Sequence, residues 1–122
     1  MFEPGHLHLK QLPGLPGRHA YTLDIYYDIR HDAQEGDMLA IRIVGDVDGK
    51  GFEECFELHR DSAFDFASVA THRVARHGLT PANGLVMKNH AEYDLMFADI
   101  RERLHIEPGE PIDFDHAIRD GL

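Results

Sequence analysis

A two-residue periodicity runs through the first half of the chain and constrains the fold more than any other feature. From Tyr21 to Ile29 the odd positions are Tyr21, Leu23, Ile25, Tyr27 and Ile29, whereas Thr22, Asp24 and Asp28 face the other way. Side chains alternate between the two faces of a strand, so this spacing predicts a half-buried strand. The odd positions Leu39, Ile41, Ile43 and Val47 repeat the pattern, with Gly45 as the one interruption. Asp48-Gly49 then supplies the positive φ angles of a tight hairpin, and Phe52 to Arg60 forms the next strand. With Asp48 and Gly49 at the turn centre, Gly45 faces Phe52, Ile41 faces Phe56 and Leu39 faces Leu58. A loop centred one residue later pairs Ile43 with Phe56 and Ile41 with Leu58. Both registers keep the same residues on the apolar face, where Glu54 is the charged exception. Upstream, Leu7 and Leu9 alternate with His6, His8 and Lys10, and the Pro-Gly repeats of residues 12–17 form a loop. The polar segment His31 to Asp37 is read as a connecting loop.

After Arg60 the period changes to that of a helix. Asp61 or Ser62 can cap it, with Asp65 in the capping-box position, and Gly78 ends it. Its inner stripe is Ala63, Phe66, Ala67, Ala70 and Val74. Residues 79–88, with Pro81 and Asn83-Gly84, form a connection with room for a helical turn around Leu85 to Met87. Asn89 caps a second helix whose apolar face is Tyr93, Met96, Phe97, Ile100 and Leu104. Pro108-Gly109-Glu110-Pro111 stops the pattern, and Asp113 to Asp120 leaves room for a last short helix carrying Phe114 and Ile118. The expected architecture is α+β: a four-stranded antiparallel meander, then two main helices on one face, in a single domain over residues 1–122. The opposite face carries Thr22, Asp24, Tyr26, Asp28, Arg42, Glu53, Cys55, Glu57 and His59.

Composition narrows the function classes. An apolar content of 43% beside 28% charged residues is that of a globular domain. Twelve Lys and Arg against 22 Asp and Glu give a charge of -10, which repels nucleic acid and anionic lipid. Neither a long apolar run nor a secretory signal is present, so a soluble cytoplasmic protein with no membrane or nucleic-acid partner is expected. The lone Cys55 closes no internal disulfide. Ten histidines stand out; because imidazole titrates near pH ~6.5, mild acidification should bring the net charge toward zero.

Candidate sites follow from the same placement. His6 and His8 share a strand face about 7 Å apart and could reach one divalent transition metal ion, with Glu3, His19 or a neighbouring subunit as third donor. Otherwise they are solvent-facing. Cys55 and His59, four residues apart on a strand, lie about 13 Å apart and cannot serve one ion unaided. Glu54 is the candidate catalytic carboxylate, because burial would disfavour its charge; an edge position or a bulge that lets it reach water is the plainer alternative. His77 and His90 flank the helix connection, where they could meet, or one could cap helix carbonyls and the other lie beside Asp94. No nucleophilic triad, phosphate-binding glycine loop, Cys-x-x-Cys or zinc-protease motif is visible.

In the segments Met1-Phe2-Glu3-Pro4-Gly5-His6-Leu7-His8, Glu57-Leu58-His59-Arg60-Asp61-Ser62-Ala63-Phe64 and His90-Ala91-Glu92-Tyr93-Asp94, the chain resembles a family of short pseudomonad proteins classed as a domain of unknown function. The resemblance spans the full length and implies a free-standing bacterial protein, with no functional residues to carry over. The leading expectation is a non-enzymatic accessory protein that binds a protein partner or a second copy of itself, with no cofactor. A weak transition-metal protein using His6 and His8 is the alternative, followed by a small hydrolase or isomerase using Glu54 or a histidine.

Overall fold

Asp48 (φ 51°) and Gly49 (φ 86°) both adopt the left-handed conformation that a two-residue hairpin turn requires, and this sets the register of the sheet. Gly45 faces Phe52, Ile41 faces Phe56 and Leu39 faces Leu58, the first of the two registers anticipated. The computed structural model describes residues 1–11, 20–79, 89–107, 111 and 113–120. The expected loop at 12–17 and the helical turn around Leu85 to Met87 lie outside the described residues.

The sheet has five antiparallel strands in sequential order: β1 (Phe2–Glu3), β2 (His6–Gln11), β3 (Tyr21–Asp32), β4 (Gly36–Val47) and β5 (Lys50–His59). The expectation of four strands missed β1. Pro4 followed by Gly5 at φ 88° has the pattern of a type II turn, and it folds Phe2 and Glu3 back onto Leu7 and His6. Two residues are too few to show a period. The anticipated loop at 31–37 is also shorter than expected, because pairing continues to Asp32 and Gly36. The Asp32 carboxylate accepts from the backbone of Gln34 (2.8 Å) and Glu35 (2.9 Å), and Gly36 takes φ 79°, so the chain reverses in three residues.

Gly45 interrupts the apolar stripe for a steric reason. A Cβ there would lie 2.6 Å from Leu23 Cδ2 and 2.8 Å from the Phe52 ring, so the missing side chain lets Phe52 lie across the sheet.

A 3₁₀ turn (Ala63–Asp65) leads into α1 (Phe66–Ala75), and α2 (His90–Leu104) and α3 (Phe114–Arg119) follow. Phe66, Val69, Ala70 and Val74 of α1 and Tyr93, Met96, Ile100 and Leu104 of α2 share one buried core with Leu7, Leu9, Leu23, Ile25, Ile41, Ile43 and Leu58. Each of the Val, Leu, Ile, Phe and Met side chains among them contributes roughly 1.5–3 kcal/mol on leaving water. α1 and α2 cover one face of the sheet, as the patterns required. Arg60 fastens the far end of α2, donating through Nε to the Leu104 carbonyl (2.8 Å) and through Nη2 to that of His105 (2.6 Å). No helix among the described residues is long and apolar enough to cross a membrane.

Candidate metal centre

On the open sheet face, only Met38 and His59 are buried among the described residues, and they oppose each other at one end of β4 and β5. His59 is 5% exposed. Strand alternation places it with Glu57 and Cys55, which are exposed, so its burial departs from the period. The cause is α3, whose His116 ring stacks on that of His59 with centroids 3.9 Å apart and planes 5° from parallel.

Three segments meet here. The hairpin between β3 and β4 brings Glu35, the end of β5 brings His59, and α3 brings His116; one ligand atom from each lies within 4.8 Å of the other two. Glu35 Oε2 stands 2.8 Å from His59 Nε2. The opposite nitrogen of His59, Nδ1, meets the Asp120 carboxylate at 2.9 Å, and that carboxylate also accepts from the backbone N–H of His59 (2.8 Å) and from the Ser62 hydroxyl. His116 Nδ1 meets Asp61 at 2.8 Å, which leaves Nε2 as the nitrogen it can offer. Each imidazole is therefore oriented by its own carboxylate, the outer arrangement that commonly fixes metal-binding histidines.

The electrostatics are those of a crowded acidic pocket. Burial alone would lower the His59 pKa, but the hydrogen bonds to Asp120 and then Glu35 outweigh it and raise the value above that of a free imidazole. The same His59 contact holds Glu35 below the ordinary carboxylate range. Burial would raise Asp61, yet the Asp113 backbone N–H and His116 bring it below its usual value. Asp61 and Ser62, expected as helix caps, are instead used to dock α3. Asp61 accepts from the Asp113 N–H at 2.8 Å, and α1 begins through the 3₁₀ turn without a side-chain cap.

His59, weighed from sequence only with Cys55, belongs to this site; the other residues singled out from sequence lie elsewhere. His6 Nε2 and His8 Nδ1 both approach Asp24 Oδ1, at 2.7 and 2.9 Å, and His6 stacks on Tyr26. Burial would raise the Asp24 pKa, but the His8 and His6 hydrogen bonds bring it below the usual value. Glu54, 14% exposed on edge strand β5, pairs with His77 (2.9 Å) and lies 3.8 Å from Arg73 and 3.9 Å from Arg76. Three basic side chains thus surround this carboxylate. His77 stacks on Phe52, and His90 lies 4.0 Å from Asp94, so the two histidines serve separate acids. Cys55 is exposed, 3.8 Å from Glu53. Sequence reasoning did not single out Glu35 or His116. The local sign was the spacing Asp113, His116, Asp120 on a short helix, but its complement at Glu35 and His59 is far away in the chain.

Residues 1–117 match a family model described as domain of unknown function (DUF5064). The fold is similar to the solution structure of an uncharacterised protein from Pseudomonas aeruginosa, with 49% sequence identity, a TM-score of 0.72, and coverage of 98% of this chain and 94% of that one. None of the curated proteins matches. With the family model spanning nearly the whole chain and a bacterial relative sharing half its residues, the chain belongs to the DUF5064 family.

Proposed function

We propose that this chain is a non-enzymatic accessory protein that holds one divalent first-row transition ion, such as zinc, between Glu35, His59 and His116. The observation that carries this reading is the pair of imidazoles oriented by Asp120 and Asp61 beside one carboxylate. Two imidazoles and a carboxylate suit zinc, nickel or iron(II) and leave coordination positions for water. The 2.8 Å separation of Glu35 and His59 is that of a hydrogen bond. Tetrahedral bonds of about 2.0–2.1 Å would set donor atoms about 3.3 Å apart, so loading replaces this hydrogen bond, draws in the three donors that now lie within 4.8 Å of one another, and turns the His116 ring out of its parallel stack on His59. His6 and His8 have a single carboxylate between them and are the weaker metal site. The lone exposed thiol of Cys55 suits a reducing compartment, and we assign the protein to the cytoplasm.

Native mass spectrometry with zinc tests the reading. One ion is expected per chain; it should be lost when His59 and His116 are both replaced by Ala and retained when His6 and His8 are. Asp120→Asn should weaken zinc binding about 10–100-fold by removing the group that orients His59. Zinc that disappears with His6 and His8 instead would overturn the assignment.

A further inference from the structure

The hold of α3 on the rest of the molecule is polar. Its two described large apolar side chains point into water, Phe114 being 81% and Ile118 76% exposed. What fastens it is Asp61 on His116 and on the Asp113 N–H, Asp120 on His59 and Ser62, and Arg119 on Glu35. A six-residue helix has no independent stability in water, so α3 persists only while these contacts do. Around them stand the carboxylates of Glu35, Asp61, Asp113, Asp115 and Asp120, with the Arg119 guanidinium as the permanent cation among these contacts. Among so many carboxylates, a cation held between them strengthens the docking.

Resting on the metal reading above, we propose that the bound ion fastens α3 over the end of the open sheet face, so that metal occupancy decides whether that end is covered. Of the three donors, Glu35 belongs to the β3–β4 hairpin turn, His59 to β5 and only His116 to α3, so an ion held by all three cross-links the sheet and its hairpin to the helix. The surface under the helix includes His59, which with opposing Met38 is shielded from water on a face that is otherwise open. An ion that needs His116 binds the closed form in preference to the open one and shifts the equilibrium by that difference in affinity. At a free ion concentration 100 times the dissociation constant, the limit is about a 100-fold reduction in opening.

Hydrogen exchange of the full chain, read by mass spectrometry at pH 7 with and without saturating zinc, tests this. The expected result is more than tenfold slower exchange in the peptide spanning residues 113–120, with β3 and β4 unchanged. His116→Gln, checked for folding by circular dichroism, should bind zinc more weakly and show no such slowing. Glu35→Gln changes no residue of α3 but also removes its ion pair with Arg119, so it is compared with and without zinc in the same variant, where the slowing should be reduced. If native mass spectrometry shows one zinc bound to the unmodified chain while residues 113–120 exchange as before, the fastening is wrong and the metal site stands. If no zinc binds, both fall together. Equal slowing in His116→Gln would also overturn the proposal, because the cross-link would then not pass through α3.

Discussion

The Tyr93 hydroxyl is buried in the core with no hydrogen-bond partner among the described residues, and burial pushes its pKa up. An unsatisfied buried hydroxyl costs about 1–3 kcal/mol, whereas the ring beneath it contributes apolar burial. Tyr93→Phe keeps the ring and removes the orphan, so we expect it to raise stability by about 1 kcal/mol, read as a higher urea midpoint with an unchanged slope. A lower midpoint would mean that the hydroxyl is satisfied. Gly45 presents the opposite case, in which the missing atoms matter. A methyl there would collide with Leu23 and Phe52, so Gly45→Ala should cost about 1–3 kcal/mol in the same measurement. The two positions differ in legibility. Gly45 announced itself as a break in an apolar stripe, but the helical period that identified Tyr93 as buried says nothing about where its hydroxyl ends.

At the scale of elements, strands and helices with a strong period were readable because burial itself selects the period. Tyr93, Met96, Ile100 and Leu104 are all buried on α2, as their spacing required. The failures came where an element is short or where contacts override local preference. β1 is two residues long, and Ser62 gave up its expected capping role for a bond to Asp120. The C-terminal end of α2 depends on a residue distant in sequence, since the Arg60 guanidinium satisfies two carbonyls there. Arg60→Met keeps the apolar stem but removes both charged hydrogen bonds. We expect a loss of about 1.5–3 kcal/mol and faster amide exchange in the last turn of α2. Unchanged exchange there would show that solvent satisfies those carbonyls equally well.

For the whole molecule, the charge of -10 and ten histidines make pH the main variable, with an isoelectric point near 5.3. Below its folded pKa each histidine adds a positive charge, so net repulsion falls steadily on mild acidification. Light scattering is expected to rise as pH drops from 7.5 to 5; a flat trace would refute this. The chains that associate should still be folded. Asp24, whose folded pKa is depressed by His8 and His6, contributes stability above its unfolded value near 4 and loses it as pH falls through the folded value, well below the isoelectric region. Circular dichroism at pH 5.3 should therefore match that at pH 7. Read from sequence, the histidines looked dispersed, with His6 and His8 as the one local pair. In the folded chain several face carboxylates from other segments, as His59 meets Glu35 and Asp120, and His116 meets Asp61. By itself the sequence determined the sheet faces, a turn at Asp48-Gly49 with two registers open, the two core helices and the net charge, because each follows from local period, turn chemistry or composition. Only the tertiary structure decided that Glu35, His59 and His116 stand together. Their meeting depends on where a hairpin tip, a strand end and a polar-docked helix come to rest, and contacts between segments so far apart leave no period in the chain.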